Sequence, residues 1–351
     1  MKVLYLTKYA RKGASSRLRS YQYFPYLEVH GIEITVSPFF DNQYLESLYT
    51  HQPTVRWALK AYIRRFFALI KVFEYDMIVI EKELFPYFPA CGEWLLKLFK
   101  MKYIVDYDDA IFHNYDLNPN PLVRFFLKKK IDKVMKWSHC VIVGNEYLGR
   151  KAELSEAKRI EYIPTVIDLN RYKIKEEKLD NQPVIIGWIG TQSTLKYVNK
   201  IRQALNELIK QYDVHIHIIG ASESLNLCKN EKHIEWSEET EVASIINCDI
   251  GIMPLSDTPW EKGKCAYKLI QFMGCGIPVV ASPIGTNNDV IKDGYSGFLA
   301  NTDEEWFQYI EKYILNPDLR KDHGSLGRKI VAEKYCLGAA NPKIISVLNQ
   351  E

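Results

Sequence analysis

One segment, residues 264–282, constrains the fold most strongly because it predicts a helix, a turn and a strand in direct succession. It reads KCAYKLIQFMGCGIPVVAS and has a helix-like pattern over Tyr267–Met273. A Gly-x-Gly-x-Pro turn from Gly274 to Pro278 follows, and after it comes a β-branched apolar pair. This order predicts one helix–strand unit of a parallel sheet.

Strand and helix patterns alternate along nearly the whole chain, which indicates an α/β fold. Several strand candidates, such as Met77–Ile80 and Val184–Ile186, are continuous apolar runs, as expected for strands buried on both faces of a parallel sheet. The predicted strands are Val3–Thr7, Ile32–Ser37, Met77–Ile80, Tyr103–Asp106, Cys140–Gly144, Val184–Ile189, Val214–Gly220, Ile234–Trp236, Ile250–Pro254 and Pro278–Ala281. The predicted helices are Ser16–Val29, Arg56–Phe73, Glu93–Phe99, Val123–Trp137, Leu195–Gln211, Glu239–Ile246, Tyr267–Met273, Glu304–Leu315 and Leu319–Lys334.

The length of 351 residues predicts two domains rather than one. We place the boundary at the proline-containing segment Tyr162–Asp168, which precedes a charged stretch over Lys173–Asp180. The predicted domains are 1–168 and 169–335, each doubly wound and Rossmann-like, with a final helix over about 336–351 crossing back to the first domain. Ligand sites are then expected at the carboxyl ends of the strands, in a cleft between the domains.

The composition argues against several classes of protein. A net charge of +3 is too small to indicate nucleic-acid binding. No apolar run reaches the ~18 residues that span a bilayer, and Met1–Thr7 is predicted to be a first strand rather than a secretory signal. The seven cysteines include no CxxC pair, so we expect reduced thiols and a cytoplasmic location.

Lys264 and Lys268 lie at the start of the helix in the constraining segment and share one helix face. Positive charge at a helix start suits an anion, because free N–H groups and the helix dipole already attract one. We therefore expect the diphosphate of a nucleotide sugar here, with Gln271 nearby. A solvated pair of surface lysines is the alternative.

Two glycine-containing loops connect a predicted strand to a predicted helix. In the second half, Gly190 would permit close approach of a ligand, and Thr191 could cap the helix or bind a phosphate oxygen. An ordinary cap without a ligand is the alternative there. In the first half, Gly13 offers clearance, Ser16 a cap, and Arg17 a cation for a phosphate or an acceptor hydroxyl.

Asp106, Asp108 and Asp109 lie at the end of a predicted strand of the first half. Closely spaced carboxylates repel each other and commonly have perturbed pKa values. Asp108 or Asp109 could orient or deprotonate an acceptor hydroxyl, and helix capping is the alternative. No further carboxylate is placed beside them by spacing, so we expect no metal ion. The charged run Glu81–Glu83 ends another strand and is either part of the cleft or a solvated loop.

Two predicted helices combine basic and aromatic residues without an acidic one, over residues 56–71 and 124–130. Such helices suit an anionic membrane surface, since Lys and Arg meet the lipid charge while aromatic rings enter the interface. The alternative is a pair of core-packed helices with a solvated basic face.

These segments resemble the GT-B glycosyltransferases, specifically the retaining enzymes of family 4. The resemblance is strong after Cys248, over Asp249–Leu255, Gln271–Ser282 and Asp289–Leu299, and weaker over Gly13–Arg19, Val141–Leu148 and Ile163–Asp168. The chain departs from the family pattern at three places. Gln271 replaces the second Glu of the family motif, Gly263 occupies the position of the first Glu with Glu261 two residues away, and Gly187–Thr191 replaces an Arg and a Lys.

The resemblance implies a metal-independent, retaining enzyme without a cofactor. It would move a sugar from a nucleotide-diphosphate donor, held by the second domain, to a hydroxyl acceptor held by the first, such as a lipid-linked or cell-surface polysaccharide intermediate. The predicted catalytic residues are Asp108, Asp109, Lys264 and Lys268, and the predicted donor-binding residues are Gly13, Ser16, Arg17, Gly190, Thr191 and Gln271. Alternatives are a non-catalytic nucleotide-sugar-binding protein and a nucleotide-sugar epimerase or phosphorylase on the same fold.

Overall fold

The computed structural model describes residues 1–50, 52–176, 182–227 and 230–349. Cys228, part of the charged stretch Lys173–Asp180 and the last two residues of the predicted final helix lie outside the described residues. The chain divides into two compact units. The first comprises Met1–Thr165 with Ala340–Glu351, and the second comprises Val166–Ala339.

The first unit contains a six-stranded parallel sheet with helices around it. Its strands are β1 (Lys2–Leu6), β2 (Glu33–Val36), β3 (Met77–Glu81), β4 (Tyr103–Tyr107), β5 (Cys140–Val143) and β6 (Ile160–Tyr162), in the order β2-β1-β3-β4-β5-β6. Its helices are α1 (Ala14–Arg19), α2 (Phe24–Val29), α3 (Asn42–Tyr49), α4 (Val55–Ile70), α5 (Cys91–Leu98), α6 (His113–Asp116), α7 (Pro121–Leu127), α8 (Lys130–Trp137) and α9 (Glu146–Leu154), with short 3₁₀ turns at Tyr21–Tyr23 and Val72–Glu74.

The second unit repeats this arrangement. Its strands are β7 (Val184–Ile189), β8 (Val214–Ile219), β9 (Glu231–Ile234), β10 (Ile250–Met253), β11 (Val279–Ala281) and β12 (Phe298–Leu299), in the parallel order β12-β11-β10-β7-β8-β9. Its helices are α10 (Arg202–Gln211), α11 (Glu241–Ile246), α12 (Pro259–Lys262), α13 (Tyr267–Gly274), α14 (Asn287–Val290), α15 (Asp303–Leu315) and α16 (Pro317–Lys334), with a 3₁₀ helix at Gln192–Ile201. The last helix, α17 (Leu337–Asn349), begins in the second unit and continues in the first.

Two doubly wound parallel sheets are the architecture that the sequence predicts, and the structure confirms them. Strands β3, β4 and β5 are buried along their whole length, as their continuous apolar runs require. The short edge strands β6 and β12 were not predicted, because two or three residues carry too little pattern.

The helix expected over Ser16–Val29 is interrupted. Helix α1 ends at Arg19, a 3₁₀ turn follows, and α2 starts at Phe24 with Pro25 in its first turn. Proline is favoured at a helix start because it lacks the N–H that would be unpaired there, whereas in a helix interior it removes a hydrogen bond. Among the described residues, no helix is both long and apolar enough to cross a membrane.

Candidate functional site

In the second unit, Lys268 lies where the carboxyl end of β7 meets the first turn of α13. Its Nζ lies over the Trp188 ring, 4.5 Å from the ring centroid. A Cβ at Gly190 would come within 2.4 Å of this Nζ and 2.6 Å of the Trp188 ring, so only glycine leaves the ammonium its place beside the strand end. Gly220, after β8, packs directly against the backbone of Gly190, because a Cβ at Gly220 would be 2.6 Å from the Gly190 carbonyl oxygen.

The ammonium of Lys268 lies in an environment that disfavours its charge. Burial, and in second place the charge of Lys264, lowers the pKa of Lys268 from 10.5 to about 7. No carboxylate of the described residues forms an ion pair with Lys268 or contributes to this pKa. A buried cation without a counter-ion favours an anionic ligand, because the ligand would stabilise the charged form.

The loop before α13 is held in place by residues that follow β11. Thr286 donates a hydrogen bond of 2.6 Å to the carbonyl oxygen of Lys264. Gly285 has φ +54°, and a Cβ there would come within 2.7 Å of the Lys262 carbonyl oxygen. Ala266, immediately before α13, also lies in the left-handed region, at φ 52°. This conformation is uncommon for residues other than glycine and costs backbone strain, which the surrounding contacts must offset.

The other predicted residues of the second unit differ in how far their side chains are accessible. Gln271 is 2% exposed, and its amide nitrogen donates a hydrogen bond of 2.8 Å to the Tyr172 hydroxyl. Tyr172 in turn donates to Glu241 at 3.0 Å. Thr191 is exposed, with its hydroxyl 3.0 Å from that of Ser193. Gln271 therefore fixes α13 inside the unit, whereas Thr191 lies open beside Gly190.

Glu261 lies two residues from the position at which the family carries its first Glu. It is buried and accepts hydrogen bonds from the hydroxyls of Tyr197 and Thr258. Burial by itself would raise the pKa of Glu261, but these hydrogen bonds lower it below its usual value. Its carboxylate is thus ionised and engaged within the unit.

In the first unit, a charged network joins the carboxyl ends of β3 and β4 to α1. Lys82 Nζ lies 2.8 Å from Asp108 Oδ1 and 3.8 Å from Asp109 Oδ2. Ser15 Oγ lies 2.7 Å from Asp108 Oδ2 and 3.1 Å from Glu81 Oε1. Lys82 is buried and has φ 69°, so its backbone is also in the left-handed region.

The two aspartates have different surroundings. Burial by itself would raise the pKa of Asp108, but Lys82, Arg19 and hydrogen bonds outweigh it and lower the pKa to about 2. For Lys82, burial would lower the pKa, but Asp108, Asp109 and Glu81 leave it raised. The Asp109 side chain is 34% exposed, against 13% for Asp108. Asp108 is thus a permanently ionised partner of Lys82, and Asp109 is the accessible carboxylate.

The predicted loop residues of the first unit have contacts within that unit. A Cβ at Gly13 would come within 2.4 Å of Tyr9 Cβ, which explains the glycine by packing. Ser16 donates a hydrogen bond of 2.6 Å to Glu81 and accepts one of 2.9 Å from the Tyr9 N–H. Arg17 is buried. Thus the predicted donor-binding residues are divided between the units, with Gly13, Ser16 and Arg17 in the first.

A second buried pair supports this network. Arg19 Nε donates to Asp106 Oδ2 at 2.8 Å, its Nη2 bonds the other oxygen, and its Nη1 donates to the Ile163 carbonyl at 2.9 Å. Both side chains are almost fully buried. The pair ties α1 to β4 and to the segment after β6.

Sequence reasoning did not assign Trp188 to a site, and it left the run that contains Lys82 open between the cleft and a solvated loop. Trp188 is the bulky aromatic residue two positions before Gly190, and Lys82 directly follows the buried strand β3. A charged or aromatic residue at the end of a buried parallel strand is the signal that could have found both, because such ends meet at one edge of the sheet. Within the described part of the chain, no group of three or more His, Cys, Asp or Glu could hold a metal ion.

Comparisons with known proteins agree with this arrangement. Residues 183–316 match the family described as glycosyl transferases group 1. An uncharacterized glycosyltransferase of Methanocaldococcus jannaschii is 24% identical over an alignment of 370 positions. The alignment covers 88% of this chain and 91% of that protein. The capsular polysaccharide biosynthesis glycosyltransferase CapM of Staphylococcus aureus is 24% identical over 177 residues, covering 48% of this chain and 47% of CapM.

Solved structures show the same fold. Sucrose-phosphate synthase from Thermosynechococcus elongatus has a TM-score of 0.72 at 12% identity, covering 100% of this chain and 98% of the other. HepE of Anabaena, in complex with UDP and glucose, has a TM-score of 0.71 at 16% identity. The structural match covers 100% of both chains. Residues 183–316 therefore resemble the group 1 glycosyl transferases, and the whole chain has the GT-B fold of these solved structures.

Proposed function

We propose that this protein is a retaining glycosyltransferase that moves a sugar from a nucleotide-diphosphate donor to a hydroxyl acceptor. The observation that carries the proposal is the half-buried ammonium of Lys268 beside Gly190, with a pKa lowered to about 7 and no carboxylate partner among the described residues. A diphosphate is the anion that fits a donor of this class. HepE, which shares the fold, has been solved with UDP-glucose.

In the proposed reaction, the second unit stabilises the leaving group. The missing side chain at Gly190 leaves room for the Lys268 ammonium beside the strand end, and the diphosphate would bind against that ammonium. When the bond between the sugar and the diphosphate breaks, negative charge grows on the leaving oxygen. Lys268, Lys264 and the N–H groups at the start of α13 would stabilise that charge more strongly in the transition state than in the bound donor.

The first unit would present the acceptor. Asp109 is the accessible carboxylate of the network and would orient the acceptor hydroxyl or accept its proton. Asp108 has a pKa near 2 and is therefore a weak base at neutral pH, so its role would be to hold Lys82 in position. This assignment separates the two aspartates, which the sequence treats as equivalent.

The finer features of the proposal rest on the family resemblance. Retention of the anomeric configuration and independence of metal ions are carried over from family 4. An acceptor of the lipid-linked or cell-surface polysaccharide kind is supported by the likeness to CapM, whose name places it in capsular polysaccharide biosynthesis. A cytoplasmic location is supported by the cysteines of the described residues, which are thiols rather than disulfides.

The first experiment is a thermal-shift screen with UDP, GDP, ADP and TDP sugars, because a ligand that binds only the native state raises its stability. The stabilising donor is then incubated with and without candidate acceptors, in the presence of EDTA. Transfer that needs the acceptor, with retained configuration by NMR, supports the proposal. Donor conversion without an acceptor would indicate an epimerase, and donor binding without any turnover would indicate a binding protein.

A pair of variants tests the assignment of the lysine. Lys268→Met should abolish transfer while leaving the circular dichroism spectrum unchanged. Lys262→Met is the matched control, since Lys262 pairs with Asp257 at the surface, at 3.0 Å, and lies in the same loop region. Unchanged turnover of the Lys268 variant would remove the leaving-group role of that residue.

A further inference from the structure

Helix α4 exposes its apolar side and buries Arg65, one of its two central arginines. Leu59, Ile63, Phe66, Phe67 and Ile70 recur every three to four residues and are between 51% and 64% exposed. This spacing puts them on one face of the helix. A helix on the surface of a globular protein normally has the opposite orientation, with the apolar face in the core.

Two arginines hold the helix in this orientation. Arg65 is 1% exposed and donates a hydrogen bond of 2.7 Å to the Thr7 carbonyl at the end of β1. Arg64 is partly exposed and forms a 2.8 Å ion pair with Asp41, which caps α3. Turning the apolar residues inward would break both interactions, and loss of the buried Arg65 bond would cost about 1–3 kcal/mol. The outward apolar face is therefore a stable feature of the unit.

The exposed apolar surface continues from α4 onto α5. Phe73, three residues after α4, packs edge-on against Phe99 with ring centroids 5.6 Å apart. Phe99 directly follows α5, whose Trp94 and Leu98 are 47% and 57% exposed. We call this surface the α4–α5 face. Contiguous apolar surface of this kind marks an interaction site rather than ordinary solvent-exposed protein.

The exposed charges on α4 and α5 themselves are basic, and the exposed Glu74 lies beside Phe73. Arg56, Lys60, Lys71 and Lys97 are exposed on it or beside it. In α4 and α5, which the structure describes completely, the single acidic residue is Glu93, and it is 1% exposed. Protein–protein interfaces are depleted in lysine, whereas a mixture of exposed lysine, arginine and aromatic residues is typical of surfaces that bind anionic lipid.

We propose that the α4–α5 face docks this protein on an anionic lipid bilayer. Phe66, Phe67 and their apolar neighbours would enter the interface, and the basic side chains would contact the lipid phosphates. Binding needs neither the donor nor the transfer reaction, so this inference stands independently of the proposed function. For an acceptor that is lipid-linked, it would bring the first unit to the substrate.

Flotation with liposomes tests the proposal. The full chain is mixed at low salt with vesicles of phosphatidylcholine alone or with one third phosphatidylglycerol. We expect binding to the anionic vesicles, weaker binding at high salt because ionic strength screens the charges, and little binding to neutral vesicles. The double variant Phe66→Ser with Phe67→Ser should lower the affinity at least tenfold. Leu315→Ser, which changes an equally exposed apolar residue of the second unit, should bind as the unaltered chain does.

Two further measurements separate the outcomes. The thermal shift caused by a nucleoside diphosphate is measured for the unaltered chain, the double variant and Leu315→Ser. Equal shifts show that both variants are folded and that donor binding is unaffected. Absence of flotation with anionic vesicles at low salt, or flotation of the double variant at full strength, overturns the proposal. A dimer in size-exclusion chromatography that the double variant dissociates, with no flotation, would show that the face instead binds a second copy of this chain.

Discussion

Because the pKa of Lys268 is lowered to about 7, binding of a nucleoside diphosphate should take up a proton. At pH 8, about one tenth of the unliganded molecules carry a protonated Lys268, as follows from that pKa. A diphosphate beside the ammonium restores the charged form, since an opposite charge within a few ångströms raises the pKa of a lysine. The expected uptake at pH 8 is therefore about 0.9 proton per bound ligand.

Isothermal titration calorimetry measures this uptake directly. The stabilising nucleoside diphosphate is titrated at pH 8 in two buffers with different ionisation enthalpies, and the dependence of the binding enthalpy on buffer gives the number of protons. Lys268→Met should reduce that number to near zero, whereas Lys262→Met should leave it unchanged. Tight binding with an uptake below about 0.2 proton would refute the reasoning. Equal proton uptake in the unaltered chain and in Lys268→Met would also refute it.

The same pKa predicts the stability of the unliganded protein. Unfolded Lys268 keeps its proton up to about pH 10.5, whereas the folded residue loses it near pH 7, so the unfolded state binds more protons in this window and stability rises with pH. Replacing Lys268 by Met should stabilise the protein by at most about 4 kcal/mol at pH 7 and about 2 kcal/mol at pH 9. Urea unfolding at the two pH values measures this gain. A variant less stable than the unaltered chain at pH 7 would contradict it.

Three further predictions concern the two units. Gly190→Ala should weaken nucleoside-diphosphate binding at least tenfold, because its methyl group would displace the Lys268 ammonium, and it should also lower stability, because the methyl group would press on the buried Trp188 ring; calorimetry measures the affinity of the folded variant, and unaltered affinity would argue against a ligand at Gly190. Arg19→Met should destabilise the protein by about 3–5 kcal/mol, because it leaves the buried Asp106 carboxylate without its partner; urea unfolding tests this, and a loss below 1 kcal/mol would show that the charge is otherwise compensated. Asp109→Asn should lower kcat at least tenfold while the KM for the donor is unchanged, since the change affects the acceptor side alone. Initial-rate kinetics measure both constants. An equal loss of the rate of donor hydrolysis without acceptor would instead indicate a role on the donor.

Much of the fold is predictable from the sequence because its signals are local. Continuous apolar runs such as Met77–Ile80 require burial on both faces, which in turn requires a parallel sheet covered by helices. The turn between α13 and β11 depends on residues adjacent in the chain, and Gly276 has the positive φ, +72°, that only glycine adopts easily. Edge strands and helix interruptions were missed where the pattern was only two or three residues long.

The candidate sites are predictable only in part. Lys268 could be assigned to an anion site from its place at a helix start, but its neighbour Trp188 lies 80 positions earlier in the chain. Asp108 and Asp109 look alike in the sequence, yet Asp108 is ionised in a close ion pair with Lys82, whereas Asp109 lies farther from Lys82 and is more exposed. Such differences arise from burial and from partners that the local sequence does not identify.

By itself, then, the sequence determined that this chain forms two α/β units, each with a parallel sheet. It also determined that lysine, glycine and carboxylate residues lie where strands end and helices begin. Both follow because hydrophobic periodicity and turn chemistry act over a few residues. Tertiary structure alone decided that Lys268 is half-buried without a carboxylate partner among the described residues and that α4 exposes its apolar face. Helical periodicity predicts that one face of α4 is apolar, but only the long-range bonds of Arg64 and Arg65, to Asp41 and to the Thr7 carbonyl, determine which face is buried.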